Sequence, residues 1–291
     1  MRTFYFTDSK ERIPFMKILA DTATLISPAQ GQEQGLGVIP VCVSIDGQTY
    51  QDYNQMTTAE FLERIARGGI PSSSQPAIGD MLEVLDSTRE EILFLTVGDG
   101  LSGAYQTAMS ARSMVEDPQR IHIINSKTLA GPLRYLARKA VSLSKEGLNA
   151  KDIAVRLEDS IESSVSFVIP EDFEFLKRSG RLTPFTAKVG GALKLLPILT
   201  QTRDKTRISP IGIKRSWKAA VEMIFQRLEA QEVGEGWLIS VSHAGTPEKA
   251  QGILAQVQAR FSQAVTEILE LSPGLITHGG PGCIVIQAVR M

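Results

Sequence analysis

Short apolar runs alternate along this chain with stretches whose apolar residues recur at helical spacing, and that alternation limits the possible folds more than any other feature. Strand, helix, strand in this order favours a parallel sheet covered by helices on both faces, with binding loops at the carboxyl ends of the strands. Residues 16–20 predict the first strand, which runs into the polar turn Asp21-Thr22-Ala23-Thr24. A second strand is predicted over residues 38–45, ending at Asp46-Gly47, a hairpin signal that returns the chain antiparallel through Tyr50. Thr57 and Glu60 form a capping-box pattern that opens a helix stopped by Gly68-Gly69, and a serine-rich loop follows. Further on the pattern predicts helix over 78–88, a strand buried on both faces over 92–97, helix over 104–115, strand over 121–124 and helix over 133–143.

The same reading continues with a helix over 151–160 and a strand over 166–169. Beyond them it places helices over 216–230 and 247–261 and strands over 237–242, 267–271 and 283–289. At 291 residues the chain exceeds the usual size of one hydrophobic core. The expected organisation is therefore an N-terminal extension over 1–16, an N-terminal α/β domain over 17–160 and a C-terminal α/β domain over 161–291. The polar turns after Ala20, Val97 and Ile124 are the candidate binding loops.

Charge removes several function classes from consideration. Lysine plus arginine (31) nearly balances aspartate plus glutamate (32), so no electrostatic case exists for nucleic acid or anionic membranes as partners. The two cysteines, Cys42 and Cys283, make neither a disulfide framework nor a zinc spacing. Charged residues throughout the first 17 positions leave no signal-peptide core, and no apolar stretch approaches the roughly 20 residues of a membrane span. A cytoplasmic location is expected.

Glycines and small hydroxyls cluster in four predicted loops, at residues 72–76, 98–105, 177–181 and 277–282. None has the spacing of a P-loop or a dinucleotide fingerprint, so no cofactor and no metal is expected. Short hydroxyls and glycine-bared N–H groups suit a carboxylate, whose two oxygens need converging donors. The segment Gly98–Gly103, after a strand and before a helix, would also aim a helix N-terminus at an anion, although each such loop taken alone is most often an ordinary turn. Of the three histidines, His278 lies among glycines that permit close ligand approach. His122 reads as a packed core residue or a satisfied neutral donor, and His243 as a turn residue. Ser73 or Ser102 with His278 would make a hydrolase dyad, but the G-x-S-x-G elbow is absent.

Seven segments, taken together and in order, carry a resemblance. They are Lys17–Thr22; Ile39 to Gly47 with Tyr50 and Asp52; Ser73-Ser74-Gln75-Pro76; Leu101–Tyr105; Phe175–Arg181; Pro197–Leu199; and His278–Gly282. From Lys17 to the C-terminus the chain resembles the DegV family. The resemblance implies two α/β domains, the first with a mainly parallel sheet and the second with a mixed sheet, and a ligand between them. It implies a long-chain fatty acid whose carboxylate is held at Ser73, Ser74, Ser102, Gly103, His278 and Gly279. It further implies a separate ATP-using fatty-acid kinase subunit that makes the acyl phosphate, with Arg215 as the residue that contacts it. The chain itself would then be a lipid-binding subunit and not an enzyme. A Ser/His-dependent hydrolase or transferase, and a regulatory protein with a structural lipid, are the alternatives.

Two departures from the family pattern bear on the head group. Gly98-Asp99 replaces a pair of serines, and a charged Asp99 beside a carboxylate would repel it, so either Asp99 points away or the head group differs. Thr22-Ala23 stands where the family has Ser-Thr. Apolar stretches over 161–169 and 185–196 are candidates for the tunnel wall.

Overall fold

The computed structural model describes residues 16–183 and 195–291. The extension expected over 1–16 lies outside them except for Met16, as does all of the stretch over 185–196 but its last two residues. Strand β1 (Lys17–Asp21) is the second strand of a four-stranded parallel sheet with β2 (Leu36–Ile39), β6 (Ile92–Thr96) and β7 (Ile121–Asn125), in the order β2-β1-β6-β7. Because side chains alternate along a strand, Ile18, Ala20, Leu93 and Leu95 pack on one face while Leu19, Ile92 and Phe94 pack on the other. The first face is covered by α5 (Ala130–Lys145) and α6 (Ala150–Ser163), the second by α3 (Ile78–Asp86) and α4 (Ala104–Met114). Helix α1 (Pro28–Gln34) joins β1 to β2 behind a Ser27 capping box.

The strand expected over 38–45 is in fact two, and Pro40 is the physical reason. It has no N–H to continue a ladder, so pairing stops there and the chain changes sheets. β2 joins the parallel sheet, whereas β3 (Cys42–Ile45) forms the expected antiparallel hairpin with β4 (Gln48–Gln51). The serine-rich stretch read as a loop is a short strand, β5 (Ser72–Ser74), which completes a three-stranded sheet β4-β3-β5. Helix α2 (Thr58–Ala66) has the expected capping box at Thr57. His122 lies on edge strand β7, half-buried, with Nε2 2.7 Å from a carboxylate oxygen of Glu91, and so is not a core residue.

After α6 the chain builds a six-stranded mixed sheet in the order β10-β9-β8-β13-β11-β12. Its strands are β8 (Val165–Ile169), β9 (Leu196–Gln201), β10 (Ile208–Lys214), β11 (Trp237–His243), β12 (Val265–Glu270) and β13 (Ile284–Arg290); only β11 and β12 pair in parallel. Helices α8 (Trp217–Glu229) and α9 (Pro247–Arg260) bury Phe167, Ile169, Ile239, Val241, Ile284 and Ile286 on one face. The chain is thus two α/β domains, the first mainly parallel and the second mixed. Two short helices, α7 (Phe173–Ser179) and α10 (Pro273–Gly279), pack on each other at the end of the second. Sequence periodicity had not singled out β10 or α10.

The other face of the mixed sheet carries Ser166, Ser240, Ser242 and Gln287, all buried, and meets the first domain. Gln287 binds across the seam: its Oε1 accepts from Gly131 N (3.1 Å) and its Nε2 donates to Leu129 O (3.0 Å), while within its own sheet Nε2 also donates to Ser166 Oγ (2.7 Å). Leu129, the N-cap residue of α5, offers no side-chain cap. An amide from the second domain therefore satisfies a free N–H at the start of a helix of the first. The domains touch so closely that a Cβ at Gly131 would lie 2.2 Å from Ser240 Oγ. Gly131→Ala is therefore expected to lower the unfolding free energy by about 1–3 kcal/mol in urea titrations. Adding Ser240→Gly should recover much of that loss; an unchanged midpoint for Gly131→Ala alone would show that the seam is looser than this.

Candidate functional site

Strand β5 places Ser73 opposite Val43 of β3, and α10 brings His278 to it from the second domain. His278 is not in a loop, as the glycines around it suggested, but in the last turn of α10. Ser272-Pro273 starts that helix, with proline at the first helical position, and Gly280 (φ 78) ends it. The Nε2 atom lies 2.8 Å from Ser73 Oγ, whereas Nδ1 is buried with no partner. The residue keeps some accessible surface because it borders a cavity. Burial of the ring nevertheless pushes its pKa down to about 3, and the nearby Arg181 guanidinium pushes the same way.

The cavity lies in the seam between the domains. Ala23, Val41, Val97, Leu101 and Leu129 wall it from the first domain; Val168, Leu176, Ile208, Leu271, Leu275 and Val285 wall it from the second. Along one face of β13 and the residue before it, Cys283, Val285 and Gln287 face the cavity in succession, a span of roughly 13 Å at about 3.3 Å per residue. The volume is about 120 Å³. One water needs roughly 10–15 Å³ on the same measure, so on the order of ten groups of that size fit. Asp21 holds two of the walls in place: its Oδ1 accepts from Ala23 N (2.9 Å) and its Oδ2 from Val97 N (3.0 Å). Burial pushes the Asp21 pKa up to about 6 against the pull of those two donors.

Ser73, Ser74, Ser102, His278 and Gly279 all border this cavity. Ser74 is exposed and stands with Gln75 at the mouth. Ser102 Oγ accepts from Ala104 N (3.2 Å), so the hydroxyl stabilises the start of α4 while bordering the cavity. Gly103 is not on the wall: a Cβ there would meet the Gln75 side chain at 3.2 Å, and the bare backbone lets Gln75 pack. Asp99 points away, because its carboxylate accepts from Gly100 N (3.1 Å) and Gln106 Nε2 (2.9 Å) on the α4 side. Thr22, where the family pattern differs, is buried and its hydroxyl accepts from Val41 N (3.1 Å). Arg215 is exposed, between β10 and α8. Of the expected tunnel stretches, Ser166 and Val168 reach the cavity; residues 185–194 lie outside the described residues. His243 ends β11 and is buried, its carbonyl accepting from Leu271 N (2.8 Å).

Arg181 is the site residue that sequence reasoning did not single out. Its Nε donates to Leu101 O (3.1 Å) and a terminal nitrogen donates to Ser179 O, so it spans from the second domain to the first. Among the described residues no carboxylate pairs with it, and desolvation followed by the nearby Arg207 charge holds its pKa below the usual arginine range. The signal in the sequence was a cation closing the Lys177–Arg181 loop, but nothing local shows that the side chain turns toward Ser73 and His278. Among the described residues no cluster of three or more His, Cys, Asp or Glu side chains could hold a metal. No helix among them is long and apolar enough to cross a membrane.

A family model, described as the uncharacterised protein family DegV, matches residues 16–290. A DegV domain-containing protein of Clostridium acetobutylicum is 28% identical over 279 residues, spanning 93% of this chain and 96% of that protein. Two solved structures share the architecture. DegV of Bacillus subtilis, a fatty acid binding protein, is 25% identical with a TM-score of 0.84, over 95% of this chain and 99% of its own. A DegV family protein of Thermus thermophilus, solved for its fatty acid binding, is 24% identical with a TM-score of 0.86 over the same shares. With the match running from Met16 to Arg290 and the two-domain architecture in agreement, the chain belongs to the DegV family.

Proposed function

We propose that the chain binds a long-chain fatty acid in the interdomain cavity, with the carboxylate at Ser73 and His278, and presents it to a separate ATP-using kinase that forms the acyl phosphate. One observation carries this reading: an apolar-walled cavity between the domains that is bounded on one side by a hydrogen-bonded Ser73–His278 pair, with Arg181, which pairs with no carboxylate among the described residues, beside it. The fatty acid binding of the Bacillus and Thermus relatives supports it. Burial of an acyl chain is worth roughly 0.8 kcal/mol per methylene, so about a dozen methylenes supply on the order of 10 kcal/mol before ordering costs. The tail then dominates affinity, and the polar groups orient the head and spare it an uncompensated desolvation.

A neutral imidazole carries one N–H. With that proton on Nε2 it donates to Ser73 Oγ, which frees the serine hydroxyl hydrogen for a carboxylate oxygen. Ser102, Ser74 and the backbone at Gly279 are the further donors in this reading, Gly103 acts by letting Gln75 pack, and Arg181 supplies the positive charge. Exposed Arg215 is the proposed contact for the kinase. The 2.8 Å Ser73–His278 contact also favours a second reading, a serine nucleophile with a histidine base. Two observations weigh against it: among the described residues no acid orients Nδ1, and an imidazole with its pKa pushed down to about 3 is a poor proton acceptor at neutral pH. A fluorophosphonate that labels the wild type but not Ser73→Ala would favour the hydrolase; absence of labelling would favour the carrier.

Native mass spectrometry of protein purified from cells should show a co-purified acyl mass, and His278→Ala should weaken binding of added fatty acid by about 1–2 kcal/mol. A protein that is empty and indifferent to added fatty acid would contradict the reading, and an unchanged affinity would remove His278 from the site. The histidine also sets a pH dependence. Its folded pKa is depressed below the unfolded value, so the unfolded chain takes up a proton that the folded chain refuses, and stability is lost as pH falls from about 6.5 toward 3. Asp21 and Asp52, both pushed up to about 6, act in the opposite sense between about 6 and 4. His278→Gln should therefore gain stability relative to wild type as pH is lowered below about 6.5 in denaturant titrations. A difference that stays constant with pH would show that His278 protonates as freely folded as unfolded.

A further inference from the structure

His278 owes its position to α10, a helix of the second domain seated on the small sheet of the first. One end of the seat is Ser73; the other is Asp52. We propose that Asp52 is the positioning residue that holds the start of α10 and, through it, sets His278 against Ser73; its bearing on ligand binding rests on the fatty-acid reading of the cavity.

Asp52 follows β4, its own N donating to Val41 O at 2.9 Å, and it has no accessible surface. Around its carboxylate stand the hydroxyls of Ser272 and Thr22 and the N–H groups of Gly274 and Tyr53, while burial pushes its pKa up to about 6. These donors crowd the carboxylate, yet none meets hydrogen-bond geometry with either oxygen. The start of α10 lacks a cap of its own: the Ser272 side chain makes no capping bond, and Pro273 has no N–H to offer. Gly274 therefore supplies the first N–H of the helix, and its bare Cα lies against Asp52. A Cβ at Gly274 would sit 3.0 Å from Asp52 Oδ2 and 2.7 Å from Val41 Cγ2. A carboxylate at a helix N-terminus is favoured both as an acceptor and by the helix dipole.

The placement parallels the one at α5. There Gln287 of the second domain accepts a hydrogen bond from Gly131 at the uncapped start of a first-domain helix; here the buried Asp52 carboxylate of the first domain packs against Gly274 at the uncapped start of a second-domain helix. His278 lies four residues beyond Gly274, about one turn along and on the same side of the helix. With only seven residues in α10, a shift at its start is transmitted to the histidine.

The test reads two signals on the full chain for wild type, Asp52→Ala, Asp52→Asn and Gly274→Ala: the imidazole ¹⁵N resonances of His278, assigned by His278→Gln, and the affinity for fluorescently labelled palmitate. Asp52→Ala and Gly274→Ala should displace the His278 resonances and weaken palmitate binding about tenfold. Asp52→Asn keeps an oxygen acceptor of equal capping strength and should stay within about threefold of wild type in affinity with near-native resonances. A folded Asp52→Ala protein with wild-type His278 resonances would overturn the proposal. If that variant does not fold, wild-type resonances in Gly274→Ala overturn it in the same way. Failure of the wild type to bind labelled palmitate would sink the fatty-acid reading alone, because the resonances still decide what Asp52 does.

Discussion

The seam between the two domains is the constraint on which the rest of this structure depends. A six-stranded sheet must bury both faces, and here α8 and α9 cover only one. The first domain covers the other, and Gln287 reaches across to it with two hydrogen bonds, to Gly131 N and Leu129 O, while its second amide hydrogen goes to Ser166 of its own sheet. An unsatisfied amide at that depth would cost about 1–3 kcal/mol, so the contact fixes the distance between the domains as well as their register. Gln201, which donates to Lys127 O at 3.0 Å, ties the same seam further out. The cavity is the part of the seam that these ties leave unfilled.

The site takes its character from that position. Each domain contributes polar groups to the cavity wall: Ser73, Ser74 and Ser102 come from the first, His278 and Arg181 from the second. Burial in the seam strips water from the histidine, which pushes its pKa down and favours the neutral ring. Among the described residues that line the cavity, the positive charge is that of Arg181, whose backbone partners hold it across the two domains. Asp99, the one carboxylate that the sequence put close to the head group, is drawn off by Gln106 and does not oppose that charge.

Much of the architecture is legible in the sequence because each domain core obeys a simple period. The uninterrupted apolar run Ile92–Thr96 announces a strand buried on both faces, and the Thr57 hydroxyl with Glu60 marks a helix start to the residue. Pro40 was visible too, but its effect is not local: it divides one apolar run between two different sheets, which only the packing of both sheets reveals. Ser72–Ser74 carries no strand signal at all, since its pairing is imposed by β3. Helix α10 was hidden because glycines surround a stretch of seven residues, and its stability comes from the seam and not from propensity. Ser73 and His278 were read as neighbours in function from the family pattern, and they are neighbours in space. Arg181 and Asp52 were not assigned to the site, since their roles arise from contacts between residues far apart in the chain.

The most direct test of the account is a crystal structure of the protein as it comes from cells, refined without assuming a ligand. Continuous rod-like density should begin within hydrogen-bonding distance of Ser73 and His278 and run beside Val285 into the seam toward Gln287. A cavity filled only by ordered water, or an acyl chain lying elsewhere on the molecule, would contradict the claim that the seam between the domains is built to hold a fatty acid.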